Sequence, residues 1–379
     1  MKTSTKLYPA FLVILFVLSI SSAKAQQSSN ITVSAYYSGG PGMVDSFVAE
    51  KLTHIIYSFC HLDGTNLKVD NATDSLTIQR LVNLKRRNPS LKVLLSLGGW
   101  GGCATCSDVF STKDGRKQFA RSVAQLSNYF GTDGIDLDWE YPAIQGYPGH
   151  KFVPQDKENF TALIKELRKA VGKKREISFA AGGFTKFINE SVEWRKVMKI
   201  ADRVNLMTYD LVNGYAKQTG HHTALHATPQ QPEATDVAVQ RLLQMKVPRN
   251  KIVIGAAFYA RVWENVPSTN NGLYQSGTFK NSVPFKSFTA TLSPQAGFAY
   301  YWDDTAKAPY WYNAEKKLFA TGDDIRSIGL KTQYALENGL NGIMFWELSH
   351  DTFSDGLLEA IDKAKKEGRK GNYFIKPSN

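Results

Sequence analysis

The chain of 379 residues has few cysteines, few prolines and no long block of charge of one sign. Its three cysteines are Cys60, Cys103 and Cys106. An odd number leaves at least one thiol free or paired with another molecule, which excludes a small fold framed by disulfides. The single C-x-x-C has no second copy, so zinc-ribbon spacing is missing, and a redox pair would have to open a helix of a thioredoxin-like unit. A local disulfide between Cys103 and Cys106 is the expectation in an exported chain. Cys60 closes an apolar run and suits a small buried core position. Only 14 prolines, with 42% hydrophobic and 21% charged residues, exclude collagen-like, disordered and low-complexity chains. The formal charge of +12 includes Lys2, Lys6 and Lys24 near the N-terminus and is otherwise diffuse. Without an arginine-rich run or a recognisable reader module, nucleic acid is not an expected partner.

Long apolar runs are missing beyond the N-terminus, so no membrane partner is expected. Residues 1–25 carry a short basic start, an apolar stretch from Phe11 to Ile20 and the small-residue ending Ala23-Lys24-Ala25, the pattern of a signal peptide. The product is expected to begin near Gln26 and to be secreted, extracellular or, in a bacterium, periplasmic, and to act as a monomer. Asn30, Asn71, Asn159 and Asn189 open N-x-Ser/Thr sequons, usable in a eukaryotic host. Lys365 to Asn379 is basic and is expected to form a loose tail.

Eight short β-branched and aromatic runs bounded by turn residues are present, beginning near Ile31, Leu52, Leu91, Gly134, Glu176, Asp202, Lys251 and Asn341. Segments of helical spacing lie between most of them, such as 118–130, 159–171 and 237–245. This alternation predicts an α/β fold, a (β/α)8 TIM barrel. Residues 261–324 break the pattern with many aromatics and short alternating runs. They are expected to form a small α+β insertion between barrel strands seven and eight, one wall of a cleft. The chain then divides into the signal peptide 1–25, a first barrel part 26–260, the insertion 261–324, and 325–379 as the last barrel part and tail.

The segment from Asp133 to Glu140 carries the chemistry. Strand side chains alternate, so Asp136, Asp138 and Glu140 share one face while Ile135, Leu137 and Trp139 share the other. Three stacked acids are costly to bury unless they share protons or find strong partners, which argues for function over structure. Glu140, at the catalytic end of the strand, is the natural general acid. Asp133 has the wrong parity and is assigned a structural role.

The series Asp133-x-x-Asp136-x-Asp138-x-Glu140 resembles the D-x-x-D-x-D-x-E signature of the glycoside hydrolase family 18 chitinases. Ser96-Leu-Gly-Gly99, Met207-Thr-Tyr-Asp210 and Trp346 resemble that family's other strand motifs. Tyr259-Ala-Arg261, Trp302-Asp-Asp304, Pro309-Tyr310 and Asp323-Asp324 resemble its two-domain members that carry an insertion. The resemblance implies retaining hydrolysis of β-1,4-linked N-acetylglucosamine in chitin or chitooligosaccharides, with the substrate's acetamido oxygen as nucleophile and no metal or cofactor. It further implies that Glu140 is the acid and then the base, that Asp138 orients the acetamido N–H, and that Asp136 shares a proton with Asp138. Tyr209 would donate to the acetamido carbonyl. Tyr36 and Ser96 would support Asp136, and Asp210, Met207, Phe59 and Gly99 would line the sugar site with Trp346 stacked beneath. Trp100 would be a sugar platform. Tyr215 stands where relatives often have tryptophan, and Arg261 would reach sugar hydroxyls or brace Asp210. His221-His222 resembles a loop motif of relatives and lacks a third metal ligand. Two alternatives are a chitin-binding lectin without catalysis, which typically lacks the terminal glutamate, and an endo-β-N-acetylglucosaminidase acting on N-glycans.

Overall fold

The computed structural model describes residues 31–368, together with Met1 and Thr3. The signal-peptide reading and the sequon at Asn30 lie outside the described residues. Among those residues, no helix is long and apolar enough to cross a membrane.

Among the described residues, fourteen strands form two sheets. In chain order they are β1 (Thr32–Tyr37), β2 (His54–Asp63), β3 (Asn66–Lys68), β4 (Lys92–Gly98), β5 (Gly134–Asp138), β6 (Glu176–Gly182) and β7 (Arg203–Met207). There follow β8 (Ile252–Ala257), β9 (Tyr259–Glu264), β10 (Thr278–Pro284), β11 (Ala299–Asp303), β12 (Ala308–Asn313), β13 (Leu318–Gly322) and β14 (Gly342–Trp346). Strands β1, β2, β4 to β8 and β14 are parallel neighbours, and β1 pairs with both β14 and β2, which closes the barrel. All eight anticipated runs became its strands. Their near-continuous apolar character follows from burial on both faces. In β8, for example, Ile252–Ala257 is buried throughout.

The helical spacings are realised as Lys113–Phe130, Asp156–Val171 and Thr235–Gln244. The first starts on the Thr112 side chain, which accepts from Gly115 N–H, and stops at Gly131 in the left-handed conformation, φ 72°. One expectation needs correcting. Lys365 and Lys366 belong to the closing helix Leu357–Glu367, and the rest of the anticipated tail, 369–379, lies outside the described residues. Alanine, leucine and isoleucine at helical spacing bury one face of that helix, and Lys366 pairs with Asp362 at 2.7 Å on the same helix.

Between β8 and β14 the strands β9 to β13 form an antiparallel sheet in the order β10-β9-β13-β12-β11. Aromatic side chains pack on both of its faces, Phe288, Phe298 and Trp311 on one, Trp263, Tyr310 and Phe319 on the other. Its first strand follows β8 after a single residue, so this sheet is rooted at the C-terminal end of the barrel, where such barrels hold their active sites.

Candidate active site

Tyr36, Ile56, Leu94, Val253 and Met344 fill the barrel interior, with Met207 and Trp346 packed against them. Above this plug stand the acids. Asp136 is fully buried, and each of its oxygens accepts two hydrogen bonds. Tyr36 and Ser96 donate to Oδ2 at 3.0 and 3.2 Å, and Ser178 and Asn205 donate to Oδ1 at 2.6 and 2.9 Å. Burial raises its pKa and outweighs the opposing pull of the Ser178, Tyr36 and Ser96 hydrogen bonds. The charge of Asp136 in turn raises the proton affinity of Asp138.

Asp138 closes β5 and is buried, yet its Oδ1 has no hydrogen-bond partner. Burial and then the negative charges of Glu140 and Asp136 hold its pKa well above the ordinary carboxyl range. Glu140 lies two residues beyond the strand and is half-buried. Burial pushes its pKa up to about 7, opposed by a Tyr141 hydrogen bond and helped by the charge of Asp210. The three acids thus differ in proton affinity by environment alone. One is saturated with donors, one has an oxygen without a partner, and one titrates near neutrality.

Tyr209 is buried with its hydroxyl 3.8 Å from the Met344 sulfur. Burial followed by the charges of Asp138, Glu140 and Asp210 keeps its phenol protonated. Asp210, at φ 56°, turns the backbone left-handed after β7. Burial alone would raise its pKa, but Arg261 and His222 hold it well below the usual carboxylate range. Arg261 Nη2 donates to its Oδ2 at 2.6 Å, Arg261 Nε bonds the other oxygen, and Tyr259 donates to Oδ1 at 2.8 Å. Of the two roles anticipated for Arg261, the structure displays the bracing one. His222 is buried, 3.4 Å from Asp210 and 3.2 Å from the Tyr259 carbonyl, while His221 sits 3.0 Å from Asp303.

Trp346 lies parallel to Phe59, with ring centroids 5.6 Å apart and planes at 14°, and is flanked by Tyr36 at 6.0 Å. Gly99 at φ 80° lets the chain pass against this pair, since a Cβ there would fall 2.3 Å from the Phe59 ring. Trp100 is 47% exposed and Tyr215 64%, with their centroids 6.4 Å apart. Tyr141 and Tyr147 stand beside Trp100 at 6.3 and 5.6 Å. Asp133 lies apart at the other end of the strand, where it accepts from Val93 N–H at 2.7 Å and pairs with Lys85 at 2.5 Å. Cys103 and Cys106 form a disulfide, and Cys60 is free and buried.

Sequence reasoning missed Ser178 as a donor to Asp136, and Tyr141 and Tyr147 beside Trp100. The inward parity of Ser178 in Ile-Ser-Phe was an available signal. The two tyrosines sit in an irregular loop whose path no periodicity reports.

The family model of glycosyl hydrolases family 18 matches residues 22–351. Chitinase A1 of Niallia circulans is 37% identical over 298 residues, which is 72% of this chain but 42% of that protein. The chain thus spans under half of that relative. Chitinase B of Serratia marcescens is 30% identical over 385 residues, 83% of this chain and 76% of that one. Among solved structures, a family 18 N-acetylglucosaminidase from Paenibacillus barengoltzii superposes with a TM-score of 0.80 at 35% identity, covering 88% of this chain and 100% of that one.

Proposed function

The chain belongs to the glycosyl hydrolases of family 18, and on that premise we propose that it is a chitinase, cutting β-1,4 links between N-acetylglucosamine units with retention. The observation that carries this reading is the graded column of acids beside Tyr209 and above the Trp346 floor. Glu140, half protonated near pH 7, donates its proton to the glycosidic oxygen and afterwards, as a base, activates the water that opens the oxazolinium intermediate. Asp138 Oδ1, buried and unpartnered, suits the acetamido N–H as its donor. Tyr209, a phenol that stays protonated, donates to the acetamido carbonyl. The sugar's own acetamido oxygen attacks the anomeric carbon, so no protein carboxylate serves as nucleophile and the route departs from the two-carboxylate scheme.

Trp346 stacks on the reacting sugar, and the floor it shares with Phe59 fixes its plane. Trp100 and Tyr215 receive sugars on the leaving-group side. The segment 261–324 forms a wall of the cleft and, through Arg261, sets the ionisation of Asp210. The protein acts as a secreted monomer on chitin or its oligosaccharides.

Proton NMR of chitopentaose digests tests this route, with the β-anomer expected as first product. First release of the α-anomer overturns it. Cleavage of a high-mannose glycoprotein with chitopentaose left intact would favour the N-glycan alternative.

A further inference from the structure

Trp100 is too exposed for its own burial to hold it. The turn beneath it, from Gly98 to Gly102, contains four glycines, with φ of 111°, 80° and 89° at Gly98, Gly99 and Gly101. Such a stretch loses much conformational freedom on folding. It is tightly folded all the same, for a Cβ on Gly102 would lie 2.0 Å from the Gly98 carbonyl oxygen.

The near end of the turn is held by β4 and by Gly99 N–H donating to the Asp138 carbonyl at 3.0 Å. The far end is held by Cys103, whose sulfur lies beside Gly98, and by its disulfide to Cys106. Cys106 opens the helix Cys106–Ser111, and the next residue anchors that helix. Ser107 Oγ donates to both oxygens of the fully buried Asp156, each at 3.0 Å. Two of its three aromatic neighbours, Tyr147 and Tyr215, are themselves exposed, and the third, the half-buried Tyr141, is 6.3 Å away by ring centroid.

A bridge between residues three apart removes little freedom from the unfolded chain, since the loop-closure contribution grows with loop length. Its consequence is local. We propose that the Cys103–Cys106 disulfide is a positioning pair for Trp100. It fixes the glycine turn so that the indole faces the sugar on the leaving-group side, and thereby sets how strongly longer chitin oligosaccharides are held. This inference rests on the reading of Trp100 as a sugar platform.

The test uses the full chain, the Cys103→Ser/Cys106→Ser variant, Trp100→Ala and the combination. Two substrates are compared by kcat/KM: chitopentaose, which needs sugar contacts on the leaving-group side, and a nitrophenyl chitobioside, which does not. The ratio of the two is expected to fall about tenfold without the disulfide, as for one lost aromatic stack, and by a similar factor in Trp100→Ala. Combining the changes should lower it no further. Equal losses on both substrates, or additive losses in the combination, overturn the proposal. If the serine variant does not fold, the folded wild type reduced with a phosphine kept in the assay supplies the same ratio. If the wild type cleaves neither substrate, the chitinase reading fails on its own. The ratio of chitopentaose to chitobiose affinity, measured by calorimetry, then tests the disulfide, with a fall supporting it and no change overturning it.

Discussion

Arg261, on the first strand of the second sheet, grips both carboxylate oxygens of Asp210, which follows a barrel strand, with Nη2 to Oδ2 at 2.6 Å. Two-point guanidinium–carboxylate pairing fixes geometry as well as charge. It keeps Asp210 ionised beside Glu140, whose proton affinity that charge raises. Removing the charge should therefore lower the pKa of Glu140. In Asp210→Asn the alkaline limb of the kcat/KM profile is expected to move to lower pH, measured with a chitooligosaccharide across pH 4–9. A limb that stays in place or moves upward contradicts this coupling.

The alkaline limb of the unaltered enzyme should itself lie at about 7, because the proposed route needs the acid form of Glu140, which is lost as pH rises through its pKa. The same shift affects stability. A carboxyl whose pKa rises on folding is most favourable to the folded state below its unfolded value, and that contribution is lost as pH climbs towards 7. Glu140→Gln has no ionisation to lose. Its Tm should exceed that of the wild type at pH 8, and the gap should close near pH 4.

Lys331 and Asp323 are both fully buried and 2.7 Å apart, and Asp323 also accepts from Thr223, Ala257 N–H and Ser327. The pair joins the end of β8, the loop carrying His222 and the helix Ile325–Glu337. Lys331→Met leaves the aspartate uncompensated and should cost about 3–5 kcal/mol, read by denaturant unfolding. Lys331→Met/Asp323→Asn should recover part of that loss. A single variant as stable as the wild type contradicts the assignment.

Trp346→Ala removes the floor proposed for the reacting sugar and leaves one face of Phe59 uncovered. A loss of at least about tenfold in kcat/KM is expected, from an aromatic stack together with the geometry it imposes. Trp346→Phe should recover part of the activity. Equal activity in the alanine variant would remove Trp346 from the site.

The barrel was legible because parallel strands covered on both faces leave long β-branched runs, and because Asp136 and Asp138 alternate with Ile135 and Leu137. Glu140, Tyr209 and Asp210 all lie just past strand ends, where periodicity stops. The alternation used to place Glu140 ran two residues past the strand as formed, and Tyr209 and Asp210 were reached through the resemblance of their motif. The four donors around Asp136 come from β1, β4, β6 and β7, and of these the family resemblance supplied Tyr36 and Ser96 in advance. The position of Tyr147 beside Trp100 depends on a loop path without period. The extent of the closing helix was misjudged because the lysines of its last turn resemble a solvated tail when counted by charge alone.

Chitopentaose hydrolysis by the wild type and by Glu140→Gln tests the central claim most directly, with binding followed by calorimetry. The wild type is expected to cleave the oligosaccharide, and the variant to bind it and leave it intact. Cleavage by Glu140→Gln near the wild-type rate would contradict Glu140 as the acid, and a wild type that binds chitopentaose without cutting it would contradict the enzyme itself.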